Sequence, residues 1–208
     1  MIRALPPPTT ARGARTRQKV KTAARELFEC NGFQDTSVNQ IVARADVAHG
    51  TFYTYFDSKE QVFAEIVGEL FDEFATTTDA LPVTGAALSE RIERTNRGYL
   101  LAYARNGRLM AAVEQAATLS PALAEIRRTV RVRWIERNTA AIARWQARGA
   151  VSATIDARFA AEILGSMVNR TAYVTVVLEE RGDLDDLAVH LTRLYCNALG
   201  IPYHRDVP

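Results

Sequence analysis

The sequence predicts an all-α protein in which a three-helix N-terminal domain of the helix-turn-helix type precedes a larger helical domain, about nine helices in all. Apolar residues recur at three- to four-residue spacing along most of the chain, while glycine, proline and helix-capping residues fall between these runs. No run alternates as a half-buried strand does. The 208 residues are 48% hydrophobic, which permits a buried core and excludes wholesale disorder.

The N-terminal sixty residues divide into an arm and three short helices. Residues 1–14 hold a proline triplet and no periodicity, so we predict a disordered basic arm. Residues 15–60 form the three-helix domain. Its first helix starts at Arg15 and ends near Gly32, its second is capped by Thr36 or Ser37, and its third covers 49–56.

Residues 61–208 predict a second domain of longer helices. The first of these helices runs from 59 to 74 and so continues from the three-helix domain. The others are predicted at 86–105, 107–119, 121–148, 156–181 and 184–199. The run 173–177 is β-branched and taken alone would favour a strand. The apolar stripe of residues 160–178 nevertheless keeps helical spacing through it, so we predict helix there.

Several classes of protein are excluded by composition. No apolar run is long enough to span a membrane, and the N-terminus has no secretory apolar stretch, so we expect a cytoplasmic protein. Two cysteines and three distant histidines give no metal-site spacing, and no metal or cofactor is expected. No nucleophile elbow, phosphate-binding loop, dinucleotide-binding motif or zinc-protease motif occurs, which argues against an enzyme.

Positive charge and a helix-turn-helix spacing coincide near the N-terminus. Residues 1–60 carry nine basic and six acidic side chains, and the first 25 residues have no acid at all. Two short helices joined by residues 46–48 match the helix-turn-helix arrangement. The second of them leaves polar and aromatic residues outward, which suits the major groove of DNA. A solvated basic tail would give the same charge pattern.

The same region closely resembles the signature of the TetR family of transcriptional regulators. The segments GFQDTSV (32–38) and GTFYTYFDSKE (50–60) occur in register, and the match covers about residues 15–70. The resemblance implies a homodimeric repressor that binds a palindromic operator on double-stranded DNA and is released by a small effector. Two positions depart from the family pattern. Asp46 replaces the usual turn glycine, and an aspartate can adopt the left-handed conformation there at some cost. Ala48 replaces a Ser or Thr before the recognition helix. The operator sequences of relatives therefore do not predict the operator sequence of this protein.

The resemblance also implies roles for individual residues. Thr36 or Ser37 would hold a phosphate, and His49, Gly50 and Thr51 would approach base edges. Lys59 would grip a phosphate, and basic residues of the first helix would add contacts. The full predicted DNA-binding set is Arg15, Arg17, Lys21, Thr36, Ser37, Ala48, His49, Gly50, Thr51, Tyr53, Thr54, Tyr55 and Lys59.

The C-terminal domain resembles, more weakly, the subgroup of the family typified by EthR. The segments WIERNTAA (134–141) and MVNRTAY (167–173) carry this similarity. It implies a cavity for a small, mostly apolar effector, in which Asn169 would read a polar group. The predicted lining is Tyr99, Tyr103, Trp134, Asn138, Asn169 and Tyr173. Ordinary core packing would give these residues the same spacing.

A dimer interface is predicted on the last two helices. Leu187, Leu191 and Leu194 recur at helical spacing, and two such helices from each subunit would form a four-helix bundle. Two other classes stay open at this point. Turnover of a small molecule would indicate an enzyme, and an inert N-terminal face would favour a helical adaptor that binds protein.

Overall fold

A computed structural model of the chain describes residues 8–79, 88–180 and 182–203. All regular secondary structure in these ranges is helical, which confirms the predicted all-α class. The helices, in chain order, are α1 (Ala11–Asn31), α2 (Val38–Ala45), α3 (His49–Tyr55), α4 (Lys59–Asp79), α5 (Leu88–Arg105), α6 (Gly107–Leu119), α7 (Pro121–Ala147), α8 (Ala157–Val176) and α9 (Leu184–Leu199). None of these helices is long and apolar enough to cross a membrane.

The chain forms two compact units. Of the described residues, the first comprises 8–72 and 108–129. Its core is aromatic: Phe28 lies edge-on against Phe63 with ring centres 4.8 Å apart, and Phe52 and Phe56 are fully buried. This unit extends beyond the predicted 15–60 domain because α4, α6 and the start of α7 supply buried apolar side chains, among them Val113.

The second unit comprises the described residues from 73 to 107 and from 130 to 203. Helix α5 packs against both α8 and α9. Ile92 of α5, Ile142 of α7, Leu164 of α8 and Leu199 of α9 belong to one buried cluster. Burying such side chains contributes about 1.5–3 kcal/mol each relative to exposure, so this cluster fixes the helices that surround the cavity described below.

Three helix ends differ from the sequence prediction by four or five residues. Helix α4 ends at Asp79, whereas the predicted end is residue 74. Helix α1 begins at Ala11, so residues 11–14 are helical rather than part of a disordered arm. Thr10 provides the reason, since its hydroxyl accepts the Gly13 amide at 3.1 Å and caps the helix. Helix α8 ends at Val176, five residues earlier than predicted, although residues 173–176 are helical as expected. The predicted arm residues 1–7 and the predicted helix start at 86–87 lie outside the described residues.

Candidate DNA-binding surface and effector cavity

The turn before α3 depends on Asp46. This residue adopts the left-handed conformation, with φ 52° and ψ 55°, and its amide donates to carbonyls at the end of α2. An aspartate tolerates this conformation at modest cost, as the sequence predicts. Val47 and the extended Ala48 then lead into α3. Ala48 makes no side-chain cap, and in the first turn of α3 the Thr51 backbone amide donates to the Ala48 carbonyl at 2.8 Å.

Helix α3 has one buried face and one open face. Phe52 is fully buried, whereas His49, Gly50 and Thr54 are exposed and Tyr53 is 49% exposed. The His49 and Tyr53 rings lie 5.3 Å apart on the open face. A Cβ added to Gly50 would meet no atom within 4 Å, so the backbone there is open to an approaching surface.

The other residues predicted to contact DNA near this face differ in their exposure. Ala48 is exposed, while Thr51 and Tyr55 are half-buried. Ser37 is exposed and caps α2. Its hydroxyl accepts a hydrogen bond from the backbone N–H of Gln40 at 3.3 Å, and the Gln40 side-chain oxygen accepts one from the backbone N–H of Ser37 at 2.7 Å. Because the Ser37 side chain is exposed to solvent, its contact with a phosphate stays a prediction.

Thr36 has a structural role instead of the predicted phosphate contact. It is 1% exposed, and its hydroxyl donates to the Gly32 carbonyl at 2.7 Å. The sequence left Thr36 and Ser37 as alternatives because adjacent hydroxyl residues both suit a helix start. Only Ser37 reaches the surface.

Lys59 also differs from its predicted role. Its ammonium donates to three backbone carbonyls, those of Phe33 at 2.8 Å, Gln34 at 3.1 Å and Thr36 at 2.7 Å. It also lies 4.5 Å from the centre of the Phe33 ring. An ammonium has three donors, and here each has a carbonyl acceptor. Lys59 thus stabilises the loop between α1 and α2 and has no donor left for phosphate.

Two basic residues of α1 are engaged within the first unit. Arg17 forms an ion pair with Glu65 and lies 4.7 Å over the Phe56 ring. Lys21 is 5% exposed and pairs with Glu69. Both side chains attach α1 to α4, and their predicted phosphate contacts are replaced by these pairs. Arg15 is exposed, so its contact to DNA stays a prediction.

The second unit contains a cavity of about 110 Å³. Helices α5 and α7 form most of its wall, with contributions from α8 and α9. The lining residues are Arg91, Ile92, Thr95, Asn96, Tyr99, Trp134, Arg137, Asn138, Ala141, Arg144, Trp145, Gly165, Val168 and Tyr195. Three of the six predicted residues are among them: Tyr99, Trp134 and Asn138.

The other three predicted residues lie outside the lining. The Asn169 amide donates to the Tyr99 hydroxyl at 2.8 Å, so it orients a cavity residue rather than facing the cavity. Tyr103 is fully buried beside Tyr99, with ring centres 6.0 Å apart. Tyr173 lies under the Arg170 guanidinium, 4.9 Å from the ring centre. Tyr103 is therefore a core residue, which is the alternative that the sequence left open for the predicted lining.

Sequence reasoning missed several lining residues. Trp145 follows Trp134 by eleven residues, which is three helical turns, and this spacing places it on the same face of α7. Asn96 is buried and donates to the Thr192 hydroxyl at 3.1 Å. Burial, with a smaller effect of Cys196, raises the pKa of Tyr195 to about 12, so its phenol stays neutral. No sequence signal identified Tyr195, because only the packing of α5 against α9 brings it to the cavity.

Helices α8 and α9 expose apolar side chains. Leu194 is 56% exposed and Leu187 is half-buried, and their role in an interface stays a prediction. Leu191, in contrast, is 4% exposed and belongs to the core, so its predicted interface role is wrong. Phe159 and Ile163 of α8, which the sequence prediction omitted, are 61% and 51% exposed.

Comparison with known proteins identifies both parts of the chain. The family described as bacterial regulatory proteins of the tetR family matches residues 22–66. The family of the C-terminal domain of the transcriptional regulator EthR matches residues 92–199, just over half of the chain.

Individual relatives agree with these matches. The transcriptional regulator EthR of Mycolicibacterium smegmatis is 26% identical over 86% of this chain and 84% of its own length. The regulator YdgC of Bacillus subtilis is 30% identical, but this chain covers only 43% of it. Among solved structures, a TetR-family regulator of Syntrophomonas wolfei superposes with a TM-score of 0.77 at 21% identity, covering 92% of this chain and 98% of that one. Salmonella enterica GusR gives a TM-score of 0.74 at 23% identity, with coverage of 92% and 98%. The chain therefore belongs to the TetR family, with a C-terminal domain of the EthR type, and is a transcriptional regulator rather than an enzyme.

Proposed function

We propose that this protein is a ligand-responsive repressor, active in the cytoplasm, that binds a palindromic operator as a homodimer and is released by a small, mostly apolar effector. The observation that carries the proposal is the open face of α3. Exposed His49, Gly50, Tyr53 and Thr54 are held outward by a fully buried Phe52 on the opposite side. Short polar and aromatic groups on a rigid helix are suited to reading base edges and phosphates in the major groove.

The apolar surface of α8 and α9 supports the homodimer. Phe159, Ile163 and Leu194 are each more than half exposed. Exposed apolar side chains clustered on one pair of helices are typical of a protein interface. A two-fold axis at this surface would present two α3 helices to two half-sites, which is why a palindromic operator follows from the dimer.

The cavity and α4 support release by an effector. Helix α4 continues from the first compact unit into the second. Glu65 and Glu69 attach it to α1, and Phe74 near its other end lies edge-on to the cavity residue Tyr99, with ring centres 5.6 Å apart. An effector that displaces Tyr99 would therefore act on α4. A hundredfold loss of operator affinity needs about 2.7 kcal/mol of coupling, within the usual range.

Selection from a pool of random DNA duplexes tests the DNA-binding part. The full chain should enrich inverted repeats whose half-sites lie about one helical turn apart. His49→Ala should change the preferred base at specific positions more than it changes non-specific affinity. Arg148→Ala, which removes an exposed side chain just after the end of α7, is the control and should leave the selected sequence unchanged. Failure of the wild-type chain to enrich any inverted repeat would contradict the proposal.

A further inference from the structure

The cavity is unusually rich in arginine for an apolar effector site. Arg91 of α5 and Arg137 and Arg144 of α7 all contribute to its lining. Within the described part of the chain, no aspartate or glutamate lines it. The buried Tyr195 phenol is neutral, as argued above. The wall therefore carries positive charge that no acidic lining residue compensates.

Pairing along α7 separates its arginines into two groups. Towards the start of the helix, Arg127 pairs with Glu114 and Arg131 pairs with Glu162. At the cavity, among the residues that the structure describes, neither Arg91 nor Arg144 forms a salt bridge with a carboxylate. Both side chains are exposed, so their guanidinium groups are accessible at the mouth.

Arg137 has a different position from these two. Its guanidinium carbon lies 4.7 Å from the centre of the Trp134 ring, and it donates to the Ala75 carbonyl at 3.4 Å. It therefore covers one aromatic wall and adds positive charge next to it. The rest of the lining combines apolar and aromatic side chains, among them Ile92, Val168 and Trp145, with the uncharged polar residues Thr95, Asn96 and Asn138.

We propose that the effector is an amphiphilic organic anion whose apolar body contacts Trp134 and Trp145 and whose oxyanion head, a carboxylate or phosphate, binds Arg91 and Arg144. This inference rests on the proposed function, because it names the ligand class of the same cavity. A guanidinium fork matches both oxyanions with two parallel hydrogen bonds. The cavity, at about 110 Å³, is somewhat smaller than the roughly 150 Å³ that encloses benzene. The buried body is therefore about the size of one ring or a short chain, and the head stays at the mouth.

Intrinsic fluorescence provides a direct measurement, because the chain has two tryptophans and both line the cavity. Three probes share a phenyl ring: phenylacetate, phenyl phosphate and the neutral phenylacetamide. We expect at least one anion to bind about tenfold more tightly than the amide, the gain of a charge-assisted hydrogen bond that is partly exposed. The tighter of the two anions then identifies the head group.

Charge-matched variants separate local recognition from net charge. The double variant Arg91→Gln/Arg144→Gln should bind the anions no better than the amide and should keep its affinity for the amide. The control Arg148→Gln/Arg158→Gln removes two exposed arginines that do not line the cavity and should behave as wild type. Raising the salt concentration should weaken binding of the anions only.

Three results would overturn the inference: amide binding as tight as that of both anions, an equal loss of anion affinity in the control variant, or no response to either anion. Operator binding is measured separately, on a duplex selected as above. Tight anion binding without release of that duplex would leave the inference intact and would contradict only the proposed release mechanism. Failure to select any operator would contradict the proposed function, while the fluorescence titration still decides the ligand class.

Discussion

Replacing Lys59 by alanine should reduce folding stability rather than contact with DNA. The Lys59 ammonium holds the loop after α1 by donating to the carbonyls of Phe33, Gln34 and Thr36, and it also lies against the Phe33 ring. Removal of this side chain leaves three acceptors without their donor. The loop connects two helices of the DNA-binding unit, so loss of the Lys59 contacts affects the folding of that unit first.

The size of the effect follows from which contacts water can replace. The contact to Gln34 is exposed, so water can take over that carbonyl, whereas those to Phe33 and Thr36 are part-buried. A buried acceptor left unsatisfied costs about 1–3 kcal/mol, and the ring contact adds about 0.5–1 kcal/mol. Because one ammonium makes all these contacts, they do not add fully. We expect a loss of about 2–4 kcal/mol in the free energy of unfolding.

Denaturant unfolding of the variant measures this loss, and the salt dependence of operator binding tests the alternative. Lys19→Ala is the matched control, because Lys19 is an exposed lysine on α1. At a temperature where Lys59→Ala is folded, the slope of log affinity against log salt should equal that of wild type. A slope reduced by about one unit, with stability equal to that of Lys19→Ala, would refute the structural role and restore the phosphate contact predicted from sequence.

The remaining predictions concern the second unit and the helix interiors. Leu194→Asp should convert the proposed dimer into folded monomers in sedimentation and lower operator affinity; a variant that still sediments as a dimer would exclude this surface. Gly165→Ala, whose added Cβ meets no atom within 4 Å, should raise the free energy of unfolding by about 0.5–1 kcal/mol, as should the control Gly68→Ala. Only the larger Gly165→Leu, and not Gly68→Leu, should then block the fluorescence response to the probes. Burial raises the pKa of Tyr195 to about 12 and that of Cys196 to about 11. The unfolded chain therefore loses these protons at lower pH than the folded chain does, and the free energy of unfolding should fall as pH rises from about 9. A free energy of unfolding that stays constant up to about pH 11 would contradict this.

The sequence predicted best those features that depend on neighbours along the chain. Periodicity and caps placed the helices, because helical spacing is a local property. The left-handed Asp46 and the exposed face of α3 were predicted for the same reason, since His49, Tyr53 and the buried Phe52 are fixed by one helix and one turn. In each of these cases the residues that decide the outcome lie within a few positions of each other.

Residues that depend on distant partners were predicted less well. The roles of Arg17 and Lys21 are decided by glutamates 48 positions later, and that of Lys59 by carbonyls more than 20 positions earlier. Leu191 and Leu194 have similar sequence context, yet only the packing of α9 against α5 decides that the first is buried. A basic or apolar residue in a sequence indicates what it is able to bind, and its partner is set by the fold.

The same distinction explains why the location of the cavity was predicted more accurately than the charge of its lining. The resemblance to EthR implied that Tyr99, Trp134 and Asn138 line one site, and all three line the cavity. The charge of that site depends on Arg91 and Arg144, whose importance lies in having no acidic lining residue beside them. Whether a charged side chain is neutralised is a property of three-dimensional neighbours. The resemblance to EthR therefore implied a mostly apolar effector, and the arginines of the lining lead us to propose an anionic head on such a molecule.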